Sequence, residues 1–155
     1  MVSSSMLQQK QQLVQEYKSA ARKRILLANY EDDVNFALKL VLEEGGSREV
    51  DRRNHFQVDF FNDPILALKS FEKGLYDLLL IAVVMPRMNG FEFGREIRKI
   101  DDKIKICFLI AGEVPSKIRF DTLCVQEEGG YQDKFIKLPI ENKDLIEQID
   151  RIINL

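Results

Sequence analysis

The chain has 155 residues, 45% hydrophobic and 31% charged, a composition typical of one globular domain and unlike that of a disordered chain. Its formal net charge of −2 gives no overall field that would attract nucleic acid. The longest strongly apolar run, residues 78–85, is too short to span a bilayer. The N-terminus lacks the apolar core of a signal peptide. We therefore expect a cytoplasmic protein that contacts neither nucleic acid directly nor a membrane.

Residues 1–22 differ in composition from the rest of the chain. They are rich in Gln, Lys and Ser and contain neither Gly nor Pro. Apolar residues recur there at helical spacing, and Leu7, Val14 and Ala21 fall seven apart. The pattern predicts an amphipathic N-terminal helix, followed by a separate domain over residues 23–155. The helix either packs on its own domain, partly frayed, or acts as a dimerisation arm.

From Arg24 onward, short apolar runs alternate with amphipathic segments. Asp63 and Pro64 form the cap and first position of one helix, and Gly45 follows the end of another. The predicted strands cover residues 24–29, 56–62, 76–84, 103–111 and 133–138. The predicted helices cover residues 32–44, 63–74, 90–99, 115–128 and 141–154.

Regular alternation of strands and helices with short connections predicts parallel strands and right-handed crossovers. We therefore predict an α/β fold with a doubly wound, five-stranded parallel sheet of the flavodoxin-like kind, in the order 2-1-3-4-5, with an extra N-terminal helix. In such a sheet the functional crevice lies beyond the carboxyl ends of the strands. The residues that follow each strand are therefore the candidates for function.

Four segments resemble parts of the receiver domain of two-component response regulators. RILLANYEDDVNFALKLVLEE resembles the first strand and helix, and NDPILALKSFEKG resembles the second helix. YDLLLIAVVMPRMNGFEFGREIRKI resembles the third strand, the M-P-x-M-N-G turn and the third helix. FIKLPIENKDLIEQI resembles the last strand, its proline and the final helix. Together they extend the resemblance over residues 24–154.

The resemblance implies one reaction, the transfer of a phosphoryl group from a phosphohistidine to a carboxylate at the end of the third strand. In receivers, Mg²⁺ held by an acidic pair after the first strand neutralises charge in the transition state. A Ser or Thr after the fourth strand and a Lys after the fifth contact the phosphoryl oxygens. This sequence departs from the pattern at all of these positions. The acceptor position is occupied by Ala82, and the acidic pair by Asn29 and Tyr30. Ile110 stands at the position of the hydroxyl, and Leu138 stands at that of the lysine.

Four neighbouring residues complete the comparison. Glu31 matches a position that is often acidic in receivers, and Lys137 lies one residue early, where strand alternation turns it to the other face. Phe135 matches an aromatic that rotates in receivers when the hydroxyl is recruited. Here it is either held in one rotamer or is an ordinary strand aromatic. The resemblance also predicts a cis peptide bond before Pro139.

These departures predict a degenerate pseudo-receiver: a non-enzymatic signalling module that acts independently of phosphorylation, needs no cofactor and has lost Mg²⁺ binding. It is expected to bind a kinase, an effector or a second copy through the predicted helix 115–128, the fifth strand and the last helix. A homodimer through the N-terminal helix is a further possibility, as is a purely structural role in oligomers.

Three other interpretations stay open. One is a conventional single-domain response regulator inactivated by an engineered Asp-to-Ala change at Ala82. Another is a sensor that binds a small ligand in a crevice lined by Tyr30, Ile110 and Leu138. The last is a receiver that accepts phosphate at an unusual residue, Glu31 or Asp32.

Overall fold

The computed structural model describes residues 4–45, 56–113 and 135–154. The predicted helix over residues 115–128 lies outside these ranges. The strands are β1 Lys23–Ala28, β2 Phe56–Phe61, β3 Leu78–Ala82, β4 Lys105–Ala111 and β5 Phe135–Leu138. The helices are α1 Ser4–Ala21, α2 Asp32–Glu44, α3 Pro64–Ser70, α4 Gly90–Ile100 and α5 Asn142–Ile153.

The five strands form one sheet in the order β2-β1-β3-β4-β5, and every pair is parallel. This confirms the predicted flavodoxin-like topology, and α1 confirms the extra N-terminal helix. The ladders pair Ala28 with Ile81, Ala82 with Leu109 and Ala111 with Leu138. The carboxyl ends of β1, β3, β4 and β5 therefore meet at one edge, as the prediction of a crevice requires.

A hydrophobic core lies on each face of the sheet because side chains alternate along every strand. On one face, Leu79 and Ile81 of β3 pack with the buried side chains of α3 and α4. On the other face, Leu78 and Leu80 pack with those of α2 and α5. Each of these strand side chains is fully buried, and burial contributes about 1.5–3 kcal/mol apiece.

The local signals in the sequence act as predicted at most boundaries. The Asp63 carboxylate accepts a hydrogen bond from the backbone N–H of Ile65 at 2.8 Å and so caps α3. Gly45 ends α2 in the left-handed conformation, with φ of 78°. Asn89 and Glu92 form a reciprocal capping box at the start of α4.

Helix α3 is shorter than predicted, because it ends at Ser70 instead of continuing to residues 73–74. Phe71 leaves the helix in an extended conformation, and its buried ring stacks on Tyr76 with the centroids 6.1 Å apart. Burying that ring outweighs the propensity for another helical turn. Strand β3 likewise covers only Leu78–Ala82 of the predicted residues 76–84.

A polar cluster joins β1, β2 and the segment before β3, toward the opposite, amino-terminal edge of the sheet. Asp59 of β2 accepts hydrogen bonds from the Arg24 guanidinium at 3.2 Å and from the Tyr76 hydroxyl at 2.7 Å. Burial, reinforced by the bond to Asp59, raises the pKa of the Tyr76 phenol above its usual value.

Among the described helices, none combines the length and hydrophobicity that crossing a membrane requires.

Candidate functional site

A cleft of about 170 Å³ lies at the carboxyl edge of the sheet, where the sequence predicts the crevice. The ends of β1, β3, β4 and β5 and the start of α2 surround it. Four of the five residues that match the receiver phosphorylation pocket line this cleft, and Ile110 does not. The lining residues are Asn29, Tyr30, Glu31, Val34, Ala82, Val84, Leu109, Ala111, Glu113 and Leu138.

The strand side of the cleft is apolar. Ala82, which pairs with Leu109, and Leu138, which pairs with Ala111, contribute only hydrocarbon side chains. A methyl group has no lone pair with which to attack phosphorus, and a leucine has no donor for a phosphoryl oxygen. At these positions the cleft therefore lacks both the nucleophile and the fixed positive charge that phosphoryl transfer needs.

The loop after β1 is held by hydrogen bonds to the first turns of α2. The buried Asn35 of α2 donates its Nδ2–H to the backbone carbonyl of Asn29 at 2.6 Å. The Asn29 backbone N–H donates to the Phe61 carbonyl at 3.1 Å, which ties the end of β1 to β2. Asn29 is itself buried. The position that is acidic in receivers is therefore filled here by a neutral amide in a fixed loop.

The charges of the cleft lie at its rim and are both negative. Glu31 and Glu113 are exposed, and they are the only charged residues that line the cleft among those described. A hydrogen bond with Glu31 and the negative charge of Glu31 raise the pKa of the exposed Tyr30 phenol. Because a phosphoryl group is itself negative, this rim repels it.

Among the described residues, the cleft contains neither a lysine nor a set of metal ligands. Lys137 is exposed and does not line the cleft, whereas Leu138 does, as strand alternation predicts. Within residues 4–45, 56–113 and 135–154, no group of three or more His, Cys, Asp or Glu side chains is arranged to hold a metal ion. The described donors therefore do not fit the Mg²⁺ ion that receivers use.

Ile110 lies on the other face of β4, beside an aromatic cluster. Strand alternation points Leu109 toward the cleft and Ile110 toward the core that contains Phe108 and Phe135. The half-buried Phe135 ring has its centroid 5.6 Å from that of Phe108 and 6.4 Å from that of Phe91. Two buried rings thus confine Phe135, and its single rotamer stays a prediction.

The Leu138–Pro139 peptide bond is cis, as predicted.

The M-P-x-M-N-G turn carries the chain from β3 into α4 directly against the cleft. Gly90 donates its backbone N–H to the Val83 carbonyl at 2.9 Å. A Cβ atom on Gly90 would overlap the Ala82 carbonyl oxygen and lie 3.0 Å from the Val83 Cα. Arg87 adopts a positive φ of 71° and forms an ion pair with Asp63 at 3.2 Å. The glycine of the turn is therefore required by close backbone approach.

Glu113 is the one charged residue of the cleft, among those described, that the sequence interpretation did not single out. It lies two residues beyond the end of β4, among the residues that follow a strand and are therefore candidates for function. The signal available was the register of the sheet. Once Ala82 pairs with Leu109, Leu109 and Ala111 must face the same cleft, and the acidic residue that follows is placed at its rim.

Known proteins resemble this chain over the same region. The family model described as the response regulator receiver domain matches residues 25–150. The response regulator receiver protein CpdR of Brucella abortus is 28% identical over 131 residues, which cover 84% of this chain and 97% of that protein. The transcriptional regulatory protein RprY of Bacteroides fragilis is 30% identical over 130 residues, which cover 84% of this chain but only 49% of that protein.

Solved structures share the fold. A response regulator receiver domain protein from Clostridium thermocellum superimposes with a TM-score of 0.66 at 21% identity, covering 85% of this chain and 94% of that one. The sheet order, the turn after β3 and the cis proline after β5 agree with the family match. The chain belongs to the response regulator receiver domain family.

Proposed function

We propose that this chain is a pseudo-receiver, a signalling module of two-component systems that acts by binding protein partners without being phosphorylated. One observation carries the proposal. Where a receiver has its phosphorylation pocket, this cleft has apolar side chains on its strand side and two negative charges at its rim. Such a cleft favours neither a phosphoryl group nor the chemistry that attaches one.

The energetics of the cleft support a domain that does not depend on Mg²⁺. Clustered carboxylates repel one another unless a cation is bound. Asn29, Tyr30 and Ala82 replace the carboxylates of a receiver with an amide, a phenol and a methyl group, so that repulsion is absent from their positions. The domain is then held in one conformation by its own packing, with no cofactor and no enzymatic step. We place this signalling in the cytoplasm.

A conventional regulator inactivated at one position fits the cleft less well. An Asp at residue 82 would restore the nucleophile, but Asn29, Tyr30 and Leu138 would still leave the acidic pair and the lysine missing. A ligand sensor is also less favoured, because about 170 Å³ is smaller than the roughly 300–1,000 Å³ of typical ligand pockets. Acceptance of phosphate at Glu31 or Asp32 would place it at an acidic rim.

The partner surface is proposed on the face that contains β5 and α5. β5 is an edge strand of the described sheet, and Lys137 projects from it into solvent. Along α5, Lys143 and Glu147 are exposed. A partner protein that presents acidic side chains to Lys137 suits such a surface.

A binding measurement tests this proposal. A partner is first identified by cross-linking in the source cell, and its Kd for the full chain is then measured with and without acetyl phosphate and Mg²⁺. The Kd is expected to be the same under both conditions. Lys137→Glu should raise it by about tenfold, whereas Lys69→Glu, the same change on the exposed side of α3, should leave it unaltered. Binding that requires acetyl phosphate would contradict the proposal.

A further inference from the structure

Helix α1 carries an exposed apolar face. Leu7 is 51% exposed and Leu13 is 64% exposed, and Met6 of the same helix is 60% exposed. Leu7, Lys10 and Leu13 recur every third residue, so they lie along one side of the helix with the lysine between the two leucines. Leucines left in water forgo the free energy of burial, and exposed apolar side chains grouped on one side of a helix indicate a contact surface.

An open apolar groove lies between α2 and the connection from β5 to α5. Its volume is about 350 Å³. Asp33, in the first turn of α2, is the one charged residue among those that line it. The lining residues are Asp33, Val34, Ala37, Leu38, Val41, Leu138, Pro139, Ile140, Asn142 and Leu145.

The outer surface of α2 extends this groove with more exposed hydrocarbon. Phe36 is 64% exposed and Leu40 is 47% exposed, and the two lie one helical turn apart. Leu40 also lies three residues from Ala37, which brings it to the rim of the groove. The rim adds apolar area to the groove, in whose lining Asp33 is the one charged residue.

We propose that α1 of a second copy of this chain docks in the groove between α2 and the connection from β5 to α5. The helix face offers a single positive charge, Lys10, flanked by leucines, and the groove offers a single negative charge, Asp33, flanked by apolar side chains. Leu7 and Leu13 are about 9 Å apart along the helix axis. Val34 and Val41 mark a stretch of about 10 Å along α2. Charge, apolar character and length therefore match.

A second copy suits the groove better than the chain's own helix. α1 joins β1 through Arg22 at the amino-terminal edge of the sheet, whereas the groove lies beyond the carboxyl end of β5 at Leu138 and Pro139. In the structure, the side chains of residues 4–13 are exposed instead of packed on the domain. A reciprocal exchange related by two-fold symmetry makes the same contact twice, and each contact raises the effective concentration for the other.

The mass of the full chain in solution tests the exchange. Light scattering after size exclusion, over a range of concentrations, should give twice the chain mass at the upper end. Ala37→Arg fills the groove with a charged side chain that helices tolerate well, and it should raise the dimer Kd by about tenfold or more. Ser70→Arg, the same kind of change at an exposed position of α3, should leave the dimer Kd unaltered.

A charge reversal locates the contact. Lys10→Glu and Asp33→Lys should each weaken the dimer, and the double variant should recover much of the loss. Asp32→Lys is the matched control, because it places the same charge in the same helical turn but outside the groove. A monomer at every concentration would overturn the proposal. A dimer Kd that is unchanged by Ala37→Arg and shows no recovery in the double variant would overturn the proposal as well. Neither result bears on phosphorylation of the cleft.

Discussion

Gly90→Ala is expected to destabilise the domain by about 3 kcal/mol, because the new methyl group would occupy the space of backbone atoms that cannot rotate away. The nearest neighbours of a Cβ at this position are the carbonyl group of Ala82 and the Cα of Val83. To admit the methyl group, the start of α4 must move away from the end of β3. That movement would lengthen the hydrogen bond from Gly90 to Val83, which is 2.9 Å.

Gly94→Ala is the matched control, in the same helix and with the same added atom. A Cβ on Gly94 would meet ring and methyl carbons of Phe108 and Ile106 at 3.7–3.9 Å, which is ordinary van der Waals contact. Alanine also loses less backbone entropy in a helix, so this variant should gain about 0.5–1 kcal/mol. Urea unfolding of both variants decides the matter. Equal effects in the two would show that close approach at Gly90 is not the cause.

Phe108→Ala is expected to cost about 4 kcal/mol, since it removes a buried ring and leaves a cavity in the core between β4 and α4. Phe108 is 1% exposed, and its ring centroid lies 4.8 Å from that of Phe91 and 5.6 Å from that of Phe135. Aromatic pairs at such distances add to the value of simple burial. A loss of this size is a large fraction of the 5–15 kcal/mol typical of a domain.

Leu66→Ala provides the comparison for that experiment. The Leu66 side chain is 52% exposed on α3, so its removal should change the free energy of unfolding by less than about 0.5 kcal/mol. Thermal and urea unfolding followed by circular dichroism measure both variants. If the two substitutions cost the same, Phe108 does not stabilise the core between β4 and α4 in the way the structure implies.

The sequence predicts most of the fold because its signals are local. The apolar run that forms β3, the cap at Asp63 and the glycine after α2 each determine structure within a few residues. The cleft positions Ala82 and Leu138 follow from topology, since parallel strands end at one edge. The two prolines shared with the receiver pattern, Pro86 of the M-P-x-M-N-G turn and Pro139 after β5, fix which residues correspond to the receiver site.

Other features depend on contacts between distant segments and escape such an analysis. Helix α3 ends early because Phe71 packs on Tyr76. The local sequence at residues 71–74 does not predict this earlier end of the helix. The groove beside α2 exists because α2 and the connection after β5 lie side by side on one face of the sheet. The sequence pattern of α2 marks its apolar residues but not which of them stay uncovered, as Phe36 and Leu40 do.

The mass of the intact protein after incubation with acetyl phosphate and Mg²⁺ tests most directly whether the cleft of this receiver is inactive. Ala82→Asp is measured in parallel, because it restores the nucleophile alone. We expect neither protein to gain a phosphoryl group, since Asn29, Tyr30 and Leu138 leave the metal and lysine positions empty of charge. Labelling of the variant alone would mean that Ala82 is the decisive loss and that the remaining pocket still works. Labelling of the protein as it stands would contradict the account.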